Sequence, residues 1–94
     1  APMRPADKNG NAEDAETLAL RALGWVLCDD RRAQRLLALT GLEADDLRRH
    51  AGEPATLRAV IGFLRAHEPD LIACAAALDV APERLAHLGR ELAR

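Results

Sequence analysis

The pattern of apolar positions along the chain predicts helices and no strands. Within 57–64 the apolar side chains recur at intervals of three and four residues, the spacing of one face of an α-helix. This stripe consists of Leu57, Val60, Ile61 and Leu64. Two other segments, 18–27 and 71–78, are apolar on nearly all sides, which is typical of a central helix. We expect these two segments to bury each other inside one compact bundle, with Trp25 in the core.

Residues with special backbone or capping properties mark where the helices begin and end. N-caps are expected at Asn11 and at Asp29 or Asp30, and Gly41 supplies a left-handed stop. Proline suits the first turn of a helix because its missing N–H has no helical partner there. The expected helices cover about 12–28, 30–39, 44–50 and 54–66, with a fifth opening at Pro69 and a sixth at Pro82.

These elements predict an all-α protein, a single compact bundle of five or six short helices. The bundle occupies residues 12–94 and follows a disordered arm at residues 1–11. A weak internal repeat aligns Gly24-Trp25 with Gly62-Phe63 and predicts two three-helix halves with helix-turn-helix-like corners. The alternative is that small bundles share this spacing because they bury similar apolar stripes.

Composition and charge exclude several functions. The chain holds 20 Ala and 16 Leu but neither Ser nor Tyr, and its only lysine is Lys8. A serine hydrolase, a Schiff-base lysine enzyme and a Walker-type phosphate loop each lack an indispensable atom. The net charge of −2 gives no positive excess for binding nucleic acid. With no long apolar run and no signal-peptide pattern, we expect no membrane span, a cytoplasmic protein and free thiols.

The thiols and imidazoles predict no catalytic or metal site. A zinc site usually needs ligand pairs at short spacing, and no pair here is closer than seven residues. These candidates are Cys28, His50, His67, Cys74 and His87. Cys74 is expected to pack as a small hydrophobe. His50 and His67 are expected at helix C-termini, where an imidazolium complements exposed carbonyls. We therefore predict a non-enzyme without cofactor or metal.

The segment 74–88 roughly has the small residues, bend and apolar contacts of a helix-turn-helix. A second segment, 37–50, fits less well because Leu37 is bulky where a small residue is needed, although Gly41 is well placed. Asp79 stands where the turn of the first segment prefers glycine. The expected reading faces carry acidic residues, such as Glu83 and Asp45, which oppose contact with phosphates. A helix-turn-helix shape used only for packing is therefore the favoured interpretation, and a DNA-binding regulator is the alternative.

Specific stretches resemble a known bacterial family. They are Ala15–Leu23, Leu36–Leu42 with Asp46-Leu47-Arg48, Ala51–Pro54 and Val60–Leu64. This pattern resembles the domain-of-unknown-function family DUF3572, small helical proteins, over about residues 12–92. The resemblance implies no activity, cofactor or catalytic residue.

The remaining hypothesis is a regulatory or protein-interaction module that acts through a protein partner. Nucleic acid and membrane are not expected as partners. A chain this rich in alanine can also bury a further helix face by forming a homo-oligomer. The most exposed basic side chains near helix ends are the candidate contacts with the partner. They are Arg31, Arg32, Arg48, Arg49 and His50.

Overall fold

The computed structural model describes residues 14–92, and these form seven α-helices and no strands. The helices are α1 (Ala15–Leu27), α2 (Asp30–Thr40), α3 (Ala44–Arg49), α4 (Pro54–Arg65), α5 (Glu68–Leu78), α6 (Pro82–Ala86) and α7 (Leu88–Leu92). The all-α prediction is confirmed, and the predicted sixth helix is divided at His87 into α6 and α7. Within residues 14–92 no helix has both the length and the apolar character needed to cross a membrane. The predicted arm at 1–11 lies outside the described residues.

Helix α4 lies at the centre of the bundle and contacts α1, α2, α5, α6 and α7. All four residues of the predicted apolar stripe are buried, and α4 also buries Thr56 and Phe63. Helix α1 is its main partner and buries Leu18 and Val26. The central pair is therefore α1 with α4.

The prediction that 71–78 is central was wrong. Helix α5 does contact α1, but it buries only Cys74, Ala75 and Leu78. Beyond Glu68 its outer side is exposed and apolar, and it consists of Pro69, Ile72, Ala73, Ala76 and Ala77. Alanine favours helices and tolerates water, so an unbroken apolar run can fold with half its circumference in solvent.

The spacing of apolar residues in the second helix predicts a buried face of Ala33, Leu36, Leu37 and Leu39, and the face that is actually buried is narrower. Leu36 is fully buried, Ala33 and Leu37 are partly buried, and Leu39 is 65% exposed. Trp25 is partly buried against the core and does not lie inside it. One turn of α2 therefore presents apolar surface to solvent.

The helix ends confirm two predicted caps and correct one. Asp29 caps α2 by accepting the Arg32 backbone N–H at 3.0 Å, and Gly41 ends α2 in the left-handed conformation at φ 75°. The first helix begins later than predicted, because Asp14 is its N-cap and accepts the Thr17 N–H at 2.8 Å. That hydrogen bond lowers the pKa of the Asp14 carboxyl. Asn11, the predicted cap, lies outside the described residues.

The helix bounds support the predicted repeat. When α1, α2 and α3 are shifted by the offset that aligns Gly24 with Gly62, their bounds coincide with those of α4, α5 and α6 to within one residue. The left-handed cap at Gly41 recurs at Asp79, whose φ is 60°. Buried positions recur as well, with Leu36 matched by Cys74. The described residues thus comprise two similar three-helix halves, followed by α7.

Two glycines with different backbone conformations should respond oppositely to alanine. Gly41→Ala is expected to lower the free energy of unfolding by about 1 kcal/mol, because a Cβ is strained at its positive φ. Gly24→Ala should raise it by roughly 0.5 to 1 kcal/mol, because Gly24 lies within α1 and an added Cβ meets no atom within 4 Å. Urea unfolding of both variants and of the wild type measures these changes in the free energy of unfolding. Changes of the same sign would contradict the assigned helix end.

Candidate functional site

The five predicted contact residues lie in two separate helical regions. Arg31 and Arg32 belong to the first turn of α2, whereas Arg48 and Arg49 end α3 and His50 follows them directly. All except Arg32 are exposed. The two groups differ in how their charges are compensated.

The charges at the end of α3 are compensated locally. Each cationic or imidazole side chain there meets a carboxylate three residues away in the chain. The pairs are Arg48 with Asp45 at 3.2 Å, Arg49 with Asp46, and His50 with Glu53 at 2.6 Å. Such exposed pairs contribute little to stability and leave little net charge for a partner.

Arg32 joins the end of α1 to the start of α2. Its guanidinium lies 3.6 Å from the centroid of the Trp25 ring, and its Nη2 donates to the Trp25 carbonyl oxygen at 2.8 Å. Its backbone N–H donates to the Asp29 carboxylate, and this hydrogen bond lowers the pKa of that carboxyl, which therefore stays negative next to Arg32. Arg32 is thus held by intramolecular contacts and mainly stabilises the α1–α2 corner.

A shallow basic depression of about 650 Å³ opens beside α2. Its charged lining consists of Asp29, Arg31, Arg32, Arg35 and Asp70. Three guanidinium groups therefore face two carboxylates. Arg32 lies 3.8 Å from Asp29, and Arg35 pairs with Asp70 at 2.6 Å. Among residues 14–92 no carboxylate lies within ion-pair distance of Arg31, although its charge, like that of Arg32, helps to lower the pKa of the Asp29 carboxyl. The lining of the depression thus holds one more guanidinium group than carboxylates.

The pair between Arg35 and Asp70 connects α2 to α5. Asp70 Oδ2 accepts from Arg35 Nη2 and lies 3.2 Å from His67 Nδ1. The Arg35 guanidinium also lies 5.6 Å from the centroid of the Phe63 ring. These contacts fix the direction of the Arg35 side chain over the junction of α4 and α5.

An apolar groove of about 400 Å³ continues from the depression, with Arg35 and Ala38 common to both. Its other lining residues are Leu39, Phe63, Ala66 and His67. Leu39 is 65% exposed, more than any other large apolar side chain of the described chain. We call the depression and this groove together the α2 groove. It places a large exposed apolar side chain beside a lining in which guanidinium groups outnumber carboxylates.

Sequence reasoning missed three residues of the α2 groove, namely Arg35, Leu39 and Asp70. The spacing of Arg31, Arg35 and Leu39 by four residues places them on one side of a helix, and this signal was available in the sequence. The pairing of Arg35 with Asp70 joins residues far apart in the chain and had no local signal.

The two thiols lie in different environments. Both cysteines are free, Cys28 exposed and Cys74 buried, so the prediction that Cys74 packs as a small hydrophobe is confirmed. Burial raises the pKa of the Cys74 thiol to about 11, although the charge of Arg32 opposes this rise. Within residues 14–92 no group of three or more His, Cys, Asp or Glu side chains is arranged to hold a metal ion.

Both histidines lie at helix C-termini, as predicted. His50 is the C-cap residue of α3, and His67 directly follows Ala66, the C-cap of α4, and is also the N-cap residue of α5. Each imidazole also lies close to a carboxylate three residues later, His50 to Glu53 and His67 to Asp70.

The two helix-turn-helix-like corners have short second helices. The corner after α2 leads into α3, which has six residues, and the corner after α5 leads into α6, which has five. The exposed residues of α3 include acids that neutralise its arginines. Short helices with balanced charge give little surface for a DNA groove, so these observations favour the packing interpretation of the corners.

The described part of the chain is a small all-α bundle of two similar halves that carries a groove with a basic end and an apolar end. The chain belongs to the family described as Protein of unknown function (DUF3572), whose model matches residues 12–94. This confirms the resemblance found in the sequence. No curated protein and no solved structure matches the chain.

Proposed function

We propose that this protein is a non-enzymatic regulatory module of the cytoplasm that acts by binding a protein partner through the α2 groove. The observation that carries this proposal is the exposure of Leu39 on an apolar surface next to Arg35, in a groove that continues towards Arg31. An isolated exposed leucine is ordinary, but one that continues into an apolar groove rimmed by guanidinium groups is typical of a protein interface.

The burial of Cys74 and the fixed arginines of the groove support binding over catalysis. The nucleophile candidate Cys74 is buried and its pKa is raised, which disfavours the reactive thiolate. The arginines near the groove are held by Trp25, Asp29 and Asp70, so the surface is largely formed before a partner arrives. Preorganised groups lose less conformational entropy on binding.

Capture from a lysate of the source cells, with the tagged full chain, tests the proposal. A partner should be recovered by the wild-type chain and about tenfold less by Leu39→Asp, because a carboxylate in the groove loses its hydration on binding. Leu20→Asp is the matched control, since Leu20 lies on α1 and is 40% exposed. It should recover the partner as the wild type does.

Both variants change exposed positions, so their thermal unfolding should remain close to that of the wild type. Equal recovery of the same proteins by all three chains would show that the α2 groove is not the binding surface. Reproducible absence of any captured protein would contradict the function itself.

A further inference from the structure

We infer that the α2 groove takes an acidic amphipathic segment of the partner, with a carboxylate on Arg31 and a large apolar side chain between Leu39 and Phe63. This deepens the function proposed above and rests on it. The inference depends on two observations: the depression holds more guanidinium groups than carboxylates, with Arg31 outside any ion pair of residues 14–92, and an apolar groove begins at Ala38.

The charge of the depression selects for an anionic partner. Arg32 and Arg35 are occupied by Asp29 and Asp70, and the Trp25 ring and carbonyl hold Arg32 further. Arg31 is exposed, and no carboxylate of residues 14–92 pairs with it. A carboxylate brought by the partner would be attracted to the guanidinium of Arg31, whereas a cation there would be repelled.

The spacing along α2 indicates the form of the ligand. Arg31, Arg35 and Leu39 follow one another at intervals of four residues, so they line one side of the helix. Eight residues of helix span about 12 Å, which separates the charged end of the groove from its apolar end. A partner helix laid along α2 would therefore carry its carboxylate about two turns from its apolar anchor.

The outer face of α5 is the competing surface, and it lacks such a signal. It is apolar and exposed around Ile72, but α5 carries no cation and its charged residues are Glu68 and Asp70. The acidic partner chemistry inferred for the α2 groove does not fit this face. Dependence of binding on Ile72 would thus identify a different interaction.

Selection from a random-peptide display library on the full chain tests the inference without knowledge of the partner. The selected peptides should combine Glu or Asp with a Leu, Phe or Trp about two helical turns away. The consensus peptide is then synthesised, labelled and titrated by fluorescence anisotropy. Arg31→Glu should weaken its binding by roughly tenfold, and Leu39→Asp by at least as much.

A double-mutant cycle separates a direct contact from a general charge effect. Exchanging the peptide carboxylate for an amide should weaken binding to the wild-type chain, but should change binding to Arg31→Gln much less. Arg90→Glu is the control, because Arg90 is exposed on α7, away from the groove, and binding should be unchanged. The effect of Arg31 should also diminish as salt is added.

Three outcomes would overturn the inference: neutral or basic consensus peptides, no enrichment, or an acidic peptide whose carboxylate is not coupled to Arg31. Peptides that need Leu39 but not Arg31 would overturn the acidic partner chemistry and leave the proposed function intact. Binding that depends on Ile72 and not on Leu39 would contradict both.

Discussion

Replacing Leu64 by alanine is expected to lower the free energy of unfolding by about 2 to 5 kcal/mol. Leu64 is fully buried in α4, the helix that contacts α1, α2, α5, α6 and α7. The substitution removes buried methyl groups and leaves a cavity that the surrounding helices fill only in part. Since this loss is a large fraction of the stability of a typical small domain, the midpoint of urea unfolding should fall strongly.

Ile72→Ala is the matched control for this result, because Ile72 belongs to the unbroken apolar run 71–78. Ile72 is 50% exposed on α5, and alanine is the better helix former, so its free energy of unfolding should change by less than about 1 kcal/mol. Equal losses for Leu64→Ala and Ile72→Ala would mean that α5 is as central as α4, contrary to the structure.

The thiol of Cys74 is expected to react with an alkylating reagent at pH 8 much more slowly than that of Cys28. Burial raises the pKa of the Cys74 thiol to about 11, so little of the reactive thiolate is present at pH 8. Full burial slows the reaction further, whereas Cys28 is exposed. Mass spectrometry of the labelled protein assigns each rate to its cysteine.

In denaturant the two thiols should react at similar rates, which is the control for the labelling measurement. Equal labelling of both cysteines in the folded protein would contradict the burial of Cys74.

The raised pKa of Cys74 also predicts how the stability of the fold depends on pH. Above about pH 9 the Cys74 thiol ionises in the unfolded chain but stays protonated in the folded chain. The free energy of unfolding should therefore fall as the pH rises towards 11.

Local signals in the sequence were enough to place most helix ends. The caps at Asp29 and Gly41 and the start at Pro54 depend on side-chain and backbone chemistry within one turn, which a sequence displays directly. The stripe at 57–64 was equally reliable because its spacing selects one buried face. The internal repeat also emerged from the sequence, and its offset reappears in the helix bounds.

The choice between central and peripheral helices could not be made in the same way. An unbroken apolar run such as 71–78 has no polar side to show which face meets solvent, and its alanines tolerate either environment. For the α2 groove, Arg31 was recognisable as an exposed cation at a helix start. Its excess charge became clear only once tertiary contacts paired Arg35 with Asp70, far away in the chain.

Hydrogen–deuterium exchange of the full chain, alone and with the captured partner, tests most directly whether the α2 groove is the binding surface. Binding should slow the exchange of backbone amides at residues 35–40 and 63–67, the two sides of the apolar groove. Protection confined to α3 or to the outer face of α5, with α2 unchanged, would show that the partner binds elsewhere.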